Sequence, residues 1–222
     1  HFSGGTSLWD AVLPLRVAVF DLEAGGLSAP LGRMTADRFE FLLSQRLILR
    51  DLRPTDLNDL HEYASDPQID LYTPWEHYKS FDEARENLNE FLEEYEKDGF
   101  GAWGIEHRVD RKLIGIINIS IPHRVHRRVE MGYTIARAYW GQGYATEAVQ
   151  ALIQFGFEKM DLVRIEAVLL PENLASARVL EKSGMQFEGV LRAYQVWRNK
   201  PCDLRMYSII NPKKKELNDD HS

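Results

Sequence analysis

Residues 140–145, Trp-Gly-Gln-Gly-Tyr-Ala, stand between a stretch patterned as a strand and one patterned as a helix. Strand, glycine turn, helix and strand in that order make a right-handed crossover, so the strands flanking the helix lie parallel in one sheet. Ligands of such sheets bind where strand ends face a helix N-terminus. Gly141 and Gly143 carry no side chain to block a close approach to the backbone. Ala145 keeps the helix start small, and the helix dipole adds partial positive charge there. Gln142 is neutral, so backbone amides would carry an anion such as a diphosphate. A tight strand-to-helix turn with no ligand fits the same six residues. The Lys-Ser/Thr ending of a nucleotide-hydrolysing loop and the third glycine of a dinucleotide fingerprint are both missing.

The surrounding pattern is regular from Arg46 onward. Residues 46–50 alternate as a strand. Thr55 caps a helix that stops at Asp66-Pro67, and residues 80–83 have capping-box spacing for a helix reaching about Asp98 and closed by Gly99. Residues 101–107 and 112–120 read as a hairpin around Val109, Asp110 and Arg111. Residues 127–135 form another strand. The helix after the glycine turn runs over 145–160, with Ala148, Val149, Leu152 and Phe155 as its buried stripe. Strand 164–170 follows, then helix 173–183, ended by Gly184. Three strands, 185–189, 193–198 and 204–210, finish the chain. No repeat or linker interrupts this run, so it reads as one α/β domain over 34–212. Residues 1–33 lack a clear period and form an N-terminal extension: an appended or upstream-translated leader, a genuine packing segment, or, least in keeping with its residues, a cleaved signal. Residues 213–222 form a polar tail.

Composition narrows the class. The 222 residues are 44% hydrophobic, enough for a sizeable core, and no apolar run approaches the roughly 20 residues of a membrane span. The net charge of −7 argues against nucleic acid as a partner. With Cys202 the sole cysteine, neither an intrachain disulfide nor a cysteine-based metal site can form; no metal is expected, and a cytoplasmic location fits.

A second cluster lies one crossover after the glycine turn. Residues 171–185, Pro-Glu-Asn-Leu-Ala-Ser-Ala-Arg-Val-Leu-Glu-Lys-Ser-Gly-Met, follow a strand and contain Asn-x-x-Ser and Glu-Lys-x-Gly. With Tyr139–Ala145 and the Arg-Leu-x-Leu-Arg of Arg46–Arg50, the chain resembles the GNAT superfamily of acetyltransferases, in particular its Rim-type ribosomal-protein N-acetyltransferase branch. The resemblance spans about 45–212. It implies a mixed, splayed central sheet flanked by helices, with acetyl-CoA as co-substrate. It places the CoA pyrophosphate on the amides around Gly141, Gln142, Gly143, Tyr144, Ala145 and Thr146. It pairs the pantetheine amides with Tyr133, Thr134 and Ile135, sets Asn173 on the pantetheine arm, and sets Ser176 near the thiol. Many members begin the turn with Gln or Arg where Trp140 stands here. Asn173 and Ser176 also make a plausible helix start without any ligand.

Amine acetylation needs a neutral amine, a polarised carbonyl and a proton for the leaving thiolate. Glu130 is the candidate base, since superfamily members often carry a glutamate on this strand; an exposed carboxylate paired with Arg127 or Arg128 is the other reading. Ser176 is the candidate thiolate acid, with Tyr194 a second donor. Cys202 has no basic neighbour in sequence and reads as a structural thiol, which favours direct transfer. Tyr72, Trp75 and Glu76 lie in a loop of aromatics and carboxylates suited to a cationic acceptor, or to an ordinary anchored loop. His123, Arg124, His126, Arg127 and Arg128 form a basic turn. The acceptor is expected to be a peptide or protein N-terminal amine, with a small amine, or CoA binding without catalysis, as alternatives. Exposed late strands suggest a homodimer.

Overall fold

The computed structural model describes residues 42–73, 75–98, 102–119 and 125–215. The N-terminal extension, Gly99, His123, Arg124 and residues 216–222 lie outside them. No helix among the described residues is long and apolar enough to cross a membrane.

The chain builds β1 (Leu42–Leu43), β2 (Leu47–Asp51), α1 (Leu57–Ala64), α2 (Phe81–Asp98), β3 (Ala102–His107), β4 (Leu113–Ile119) and β5 (Arg128–Ile135). It continues with α3 (Tyr144–Glu158), β6 (Arg164–Leu169), α4 (Leu174–Lys182), β7 (Gln186–Trp197), β8 (Lys200–Ile210) and a final turn, α5 (Pro212–Lys215). The eight strands form one mixed sheet in the order β1-β2-β3-β4-β5-β6-β8-β7. β3 is buried along its whole length, as expected of a strand covered on both faces. Leu60 and Tyr63 of α1 and Leu88 and Phe91 of α2 pack with Leu113 and Ile116 on one face. Ala148, Val149 and Leu152 of α3 and Leu180 of α4 pack with Ile117, Met131 and Ile165 on the other.

The crossover through α3 is parallel, as the order of elements requires, while the other strand neighbours are antiparallel. Parallel pairing covers Arg128↔Arg164, Val129↔Ile165 and Glu130↔Glu166 and then ends. β5 continues to Ile135 paired with β4 alone, and β6 continues to Leu169 paired with β8 alone. The sheet is therefore splayed, open from Met131 onward.

The end of the chain differs from the three strands expected. Residues 185–189 and 193–198 merge into β7, and β8 starts early enough to include Pro201. The sequence breaks become irregularities inside one strand: the register shifts between Phe187 and Gly189 and between Leu191 and Gln195. Arg198 (φ 47°) and Asn199 (φ 62°) supply the two left-handed residues of a tight hairpin turn.

Arg50 fastens β2 to β3 and to the turn before α1. Its side chain is 4% exposed. It bonds both oxygens of Asp56, at 2.8 and 2.7 Å, and its Nε bonds Glu106 at 2.5 Å. Arg50→Met would leave buried Asp56 without its guanidinium and buried Glu106 with only the exposed Arg111, 3.2 Å away. It is expected to lower unfolding stability by about 3–5 kcal/mol, read from urea denaturation. A loss under about 1 kcal/mol would show the network to be dispensable.

Candidate active site

The glycine turn is held in a form that leaves its amides outward. Gly141 (φ 74°) and Gly143 (φ 84°) are both left-handed. Gly143 is the N-cap of α3 and supplies no side-chain cap. Helical bonding starts only with the Glu147 amide on the Gly143 carbonyl, at 3.0 Å, so the first-turn amides of Tyr144, Ala145 and Thr146 have no acceptor within the helix. A Cβ on Gly141 would meet nothing within 4 Å, so the turn faces open space. These features fit a diphosphate.

Side chains distant in sequence fix this geometry. Arg46 donates to the Gln142 carbonyl at 3.0 Å, pairs with Glu147 at 2.7 Å and lies 4.2 Å from the Tyr144 ring centroid. Burial works to raise the Glu147 carboxyl. Hydrogen bonds from Ser44 and from the amide and guanidinium of Arg46 outweigh it and hold the group below its ordinary value. Trp140 donates its indole N–H to the Ile135 carbonyl at 2.6 Å. The Tyr144 hydroxyl meets His107 Nε2 at 3.0 Å, His107 Nδ1 lies 2.9 Å from Asp110, and the Tyr139 hydroxyl donates to Asp110 at 2.8 Å.

The open edge of β5 continues the groove. The Ile135 carbonyl is taken by Trp140, while Tyr133 and Thr134 stand where β5 and β6 have parted. Asn173 accepts the Ser176 amide through Oδ1 at 3.1 Å, a helix cap that leaves its amide nitrogen to donate elsewhere. The Tyr133 hydroxyl is buried toward Ser176 without closing an ordinary hydrogen bond. Burial pushes it up to about 12, against the effect of Ser176.

Alternation along β5 puts Glu130 and Thr134 on the opposite face from Tyr133. That face looks to α1, where the Tyr63 hydroxyl lies 3.5 Å from Thr134 Oγ1. Burial first, and the charge of Glu166 second, raise Glu130 to about 7, with Arg128 opposing. Arg127 pairs with Asp161 and Arg128 with Glu166. Tyr194, 39% exposed on β7, has its hydroxyl raised by burial and then by Glu130 and Glu166, with Arg128 opposing. Glu130 and Tyr194 thus share one side of β5, while Tyr133 and Ser176 share the other. Cys202 points its thiol at the Gln195 carbonyl, 3.3 Å away. Burial, Asp203 and Glu172 all raise it, which disfavours a thiolate.

The acceptor-loop residues are spread out. Tyr72 is exposed, Trp75 stacks on Tyr78, and Glu76 is exposed and paired with Lys79 at 3.3 Å. The inward acid of this loop is Asp70, which residue type alone does not single out. It accepts the His77 amide at 3.0 Å and lies 2.7 Å from His77 Nδ1. Its backbone carbonyl accepts Arg198 Nη2 from the β7–β8 turn at 3.3 Å. Burial works to raise Asp70, and the His77 contacts hold it below its ordinary value. Sequence carries no signal for the Arg198 contact, which joins residues 128 positions apart.

Residues 46–186 match the family model described as Acetyltransferase (GNAT) domain. The chain belongs to the GNAT acetyltransferase family. It is 35% identical over 175 residues to the uncharacterized N-acetyltransferase YoaA of Bacillus subtilis (strain 168), covering 79% of this chain and 99% of that protein. A GNAT-family acetyltransferase structure from Bacillus anthracis matches with a TM-score of 0.70 at 30% identity, over 78% of this chain and 99% of that one. A protein from Vibrio cholerae assigned as a ribosomal-protein-serine acetyltransferase matches with a TM-score of 0.68 at 26% identity, over 78% and 98%. The spermidine N(1)-acetyltransferase of Vibrio cholerae is 26% identical over 67% of this chain and 84% of its own. The protein is a GNAT-type N-acetyltransferase with acetyl-CoA as acetyl donor.

Gly143→Trp tests the turn. A tryptophan there must adopt φ 84°, and its Cβ would lie 3.5 Å from Arg46 Nη2, part of the guanidinium that holds the turn. Acetyl-CoA binding by calorimetry is expected to weaken at least about 10-fold, with far-UV circular dichroism unchanged. Equal binding by wild type and variant would remove the turn from the donor site.

Proposed function

We propose that the acceptor is the N-terminal α-amine of a peptide or protein, of the kind found on ribosomal proteins. The carrying observation is Glu130 at about 7. An α-amine near 8 needs less help from such a base than an alkylamine near 10. The similarity to the Vibrio cholerae ribosomal-protein-serine acetyltransferase supports the same reading.

In this mechanism Glu130 takes the ammonium proton, directly or through one water. The amine nitrogen attacks the thioester carbonyl carbon, the C–N bond forms, and the C–S bond breaks with its electron pair leaving on sulfur. Ser176, with the Tyr133 hydroxyl beside it, supplies the proton that the thiolate takes up. Tyr194 lies on Glu130's side, so its role is to shape the base's surroundings. Gln142 to Thr146 hold the pyrophosphate, and Tyr133, Thr134 and Asn173 align the pantetheine arm. Tyr72, Trp75 and Glu76 form the outer rim met by the acceptor.

A small cationic amine is the second reading. It is favoured by the similarity to the spermidine enzyme and by a cavity of about 700 Å³ that includes Asp59, Glu62 and Asp66 in its lining. Lys112 and Arg137 pair with Glu62 and Asp66 there, which weakens the site's pull on a polyamine. The peptide N-terminus reading carries a cytoplasmic location, where acetyl-CoA is at hand. It also carries a homodimer through the exposed Phe187, Val190 and Val196 of β7.

Turnover of acetyl-CoA against N-terminal peptides and small amines decides among these. Peptide turnover supports the proposal, polyamine turnover alone overturns it, and donor binding with no turnover on any amine makes the chain a CoA-binding module. Glu130 is the base in its ionised form, so wild-type kcat/KM should rise as pH increases through about 7. Glu130→Gln should remove that acid limb and cost about 10²–10⁴-fold at pH 7.

A further inference from the structure

Glu130 and Glu166 face each other in the last pair that β5 and β6 make before they part. In-register residues of neighbouring parallel strands point to the same face, with backbones about 4.8 Å apart. Two carboxylates are therefore built side by side at the head of the groove. They are not equivalent. Glu166 is 6% exposed, and both of its oxygens are held, one by Arg128 Nη1 and the other by Arg164 Nε at 2.6 Å. Arg164 also reaches both oxygens of Glu188, at 2.8 and 2.6 Å, and the Ser208 hydroxyl at 3.0 Å. Ser208 in turn donates to Glu188. Arg128 and Arg164 are thus engaged by Glu166 and Glu188.

We infer that Glu166 is a positioning residue for Glu130: strand register and two arginines fix its negative charge beside the base, so that the base keeps enough proton affinity to deprotonate an ammonium ion. The inference rests on Glu130 being the base. The groups acting on Glu130 include Arg128 on its own strand, Glu166 on β6 and Tyr194 on β7. Like charge from Glu166 favours the protonated form, and Arg128 opposes it. Without Glu166, Arg128 and Arg164 would stand beside Glu130 with one carboxylate fewer to engage them.

A cement between strands would change stability alone, whereas a charge tuning the base changes the pH profile. The measurement is kcat/KM against pH with acetyl-CoA and the best peptide acceptor. In Glu166→Gln the acid-limb midpoint should fall by roughly one unit from about 7, with lower turnover at saturating pH. Glu166→Asp, which keeps the charge, should restore the midpoint toward wild type. Arg164→Gln, which strips a cation from Glu166, should move it upward. Should Glu166→Gln fail to fold, Arg164→Gln and Glu166→Asp carry the test. If Glu130→Gln loses the limb while the limb stays unmoved in the Glu166 and Arg164 variants, the inference fails and the base assignment stands. If the limb persists in Glu130→Gln, the base assignment fails and takes the inference with it.

Discussion

The halves of the sheet are joined edge to edge by the pairs Arg128↔Arg164, Val129↔Ile165 and Glu130↔Glu166. Much else depends on how the strands part after them. Backbone N–H and C=O groups left unpaired inside a protein are costly, so a strand that loses its neighbour must find other partners. Here the Trp140 indole satisfies the Ile135 carbonyl, and under the proposed function the extended arm of the donor would pair with the rest. The split survives because a helical layer bridges it. Ile117 and Met131 on one side and Ile165 and Tyr207 on the other share a core with α3 and α4. The opening is thus a consequence of packing.

The glycine turn is legible in the sequence because its constraint is local. Only residues without side chains take φ 74° and 84° readily, and their place between strand and helix says what lies around them. The parallel crossover follows from chain order alone. The two arginines of the Arg-Leu-x-Leu-Arg stretch are visible as a pattern, but their work is not. Arg46 reaches Gln142 and Glu147, about a hundred positions away, and Arg50 reaches Glu106. Nothing in a one-dimensional pattern sets such partners.

The acceptor side is harder to read for the same reason. Tyr72, Trp75 and Glu76 stand out by residue type, yet the loop turns Glu76 outward to Lys79 and Asp70 inward to His77. Which side chain of a turn faces in depends on the backbone path between its anchors, and here an anchor is Arg198, from the far end of the chain. The late strands divide differently from their sequence pattern because bulges carry the same small and polar residues as turns. Gly189 and Ala193 mark bends within β7, and the turn itself falls at Arg198 and Asn199.

Tyr133 and Glu130 lie on opposite faces of one strand, and that division extends through the molecule. One face is framed by Arg46, the turn and α4, the other by the loop after α1 and the tip of the β7–β8 hairpin. Under the proposed function, the residues that read the acceptor would therefore be separate in sequence from those that grip the donor. On that reading, one short loop and one hairpin tip could be altered to suit a different amine without touching the donor's grip. The clasp of Arg198 on Asp70 ties those two segments together, so a change in one bears on the position of the other.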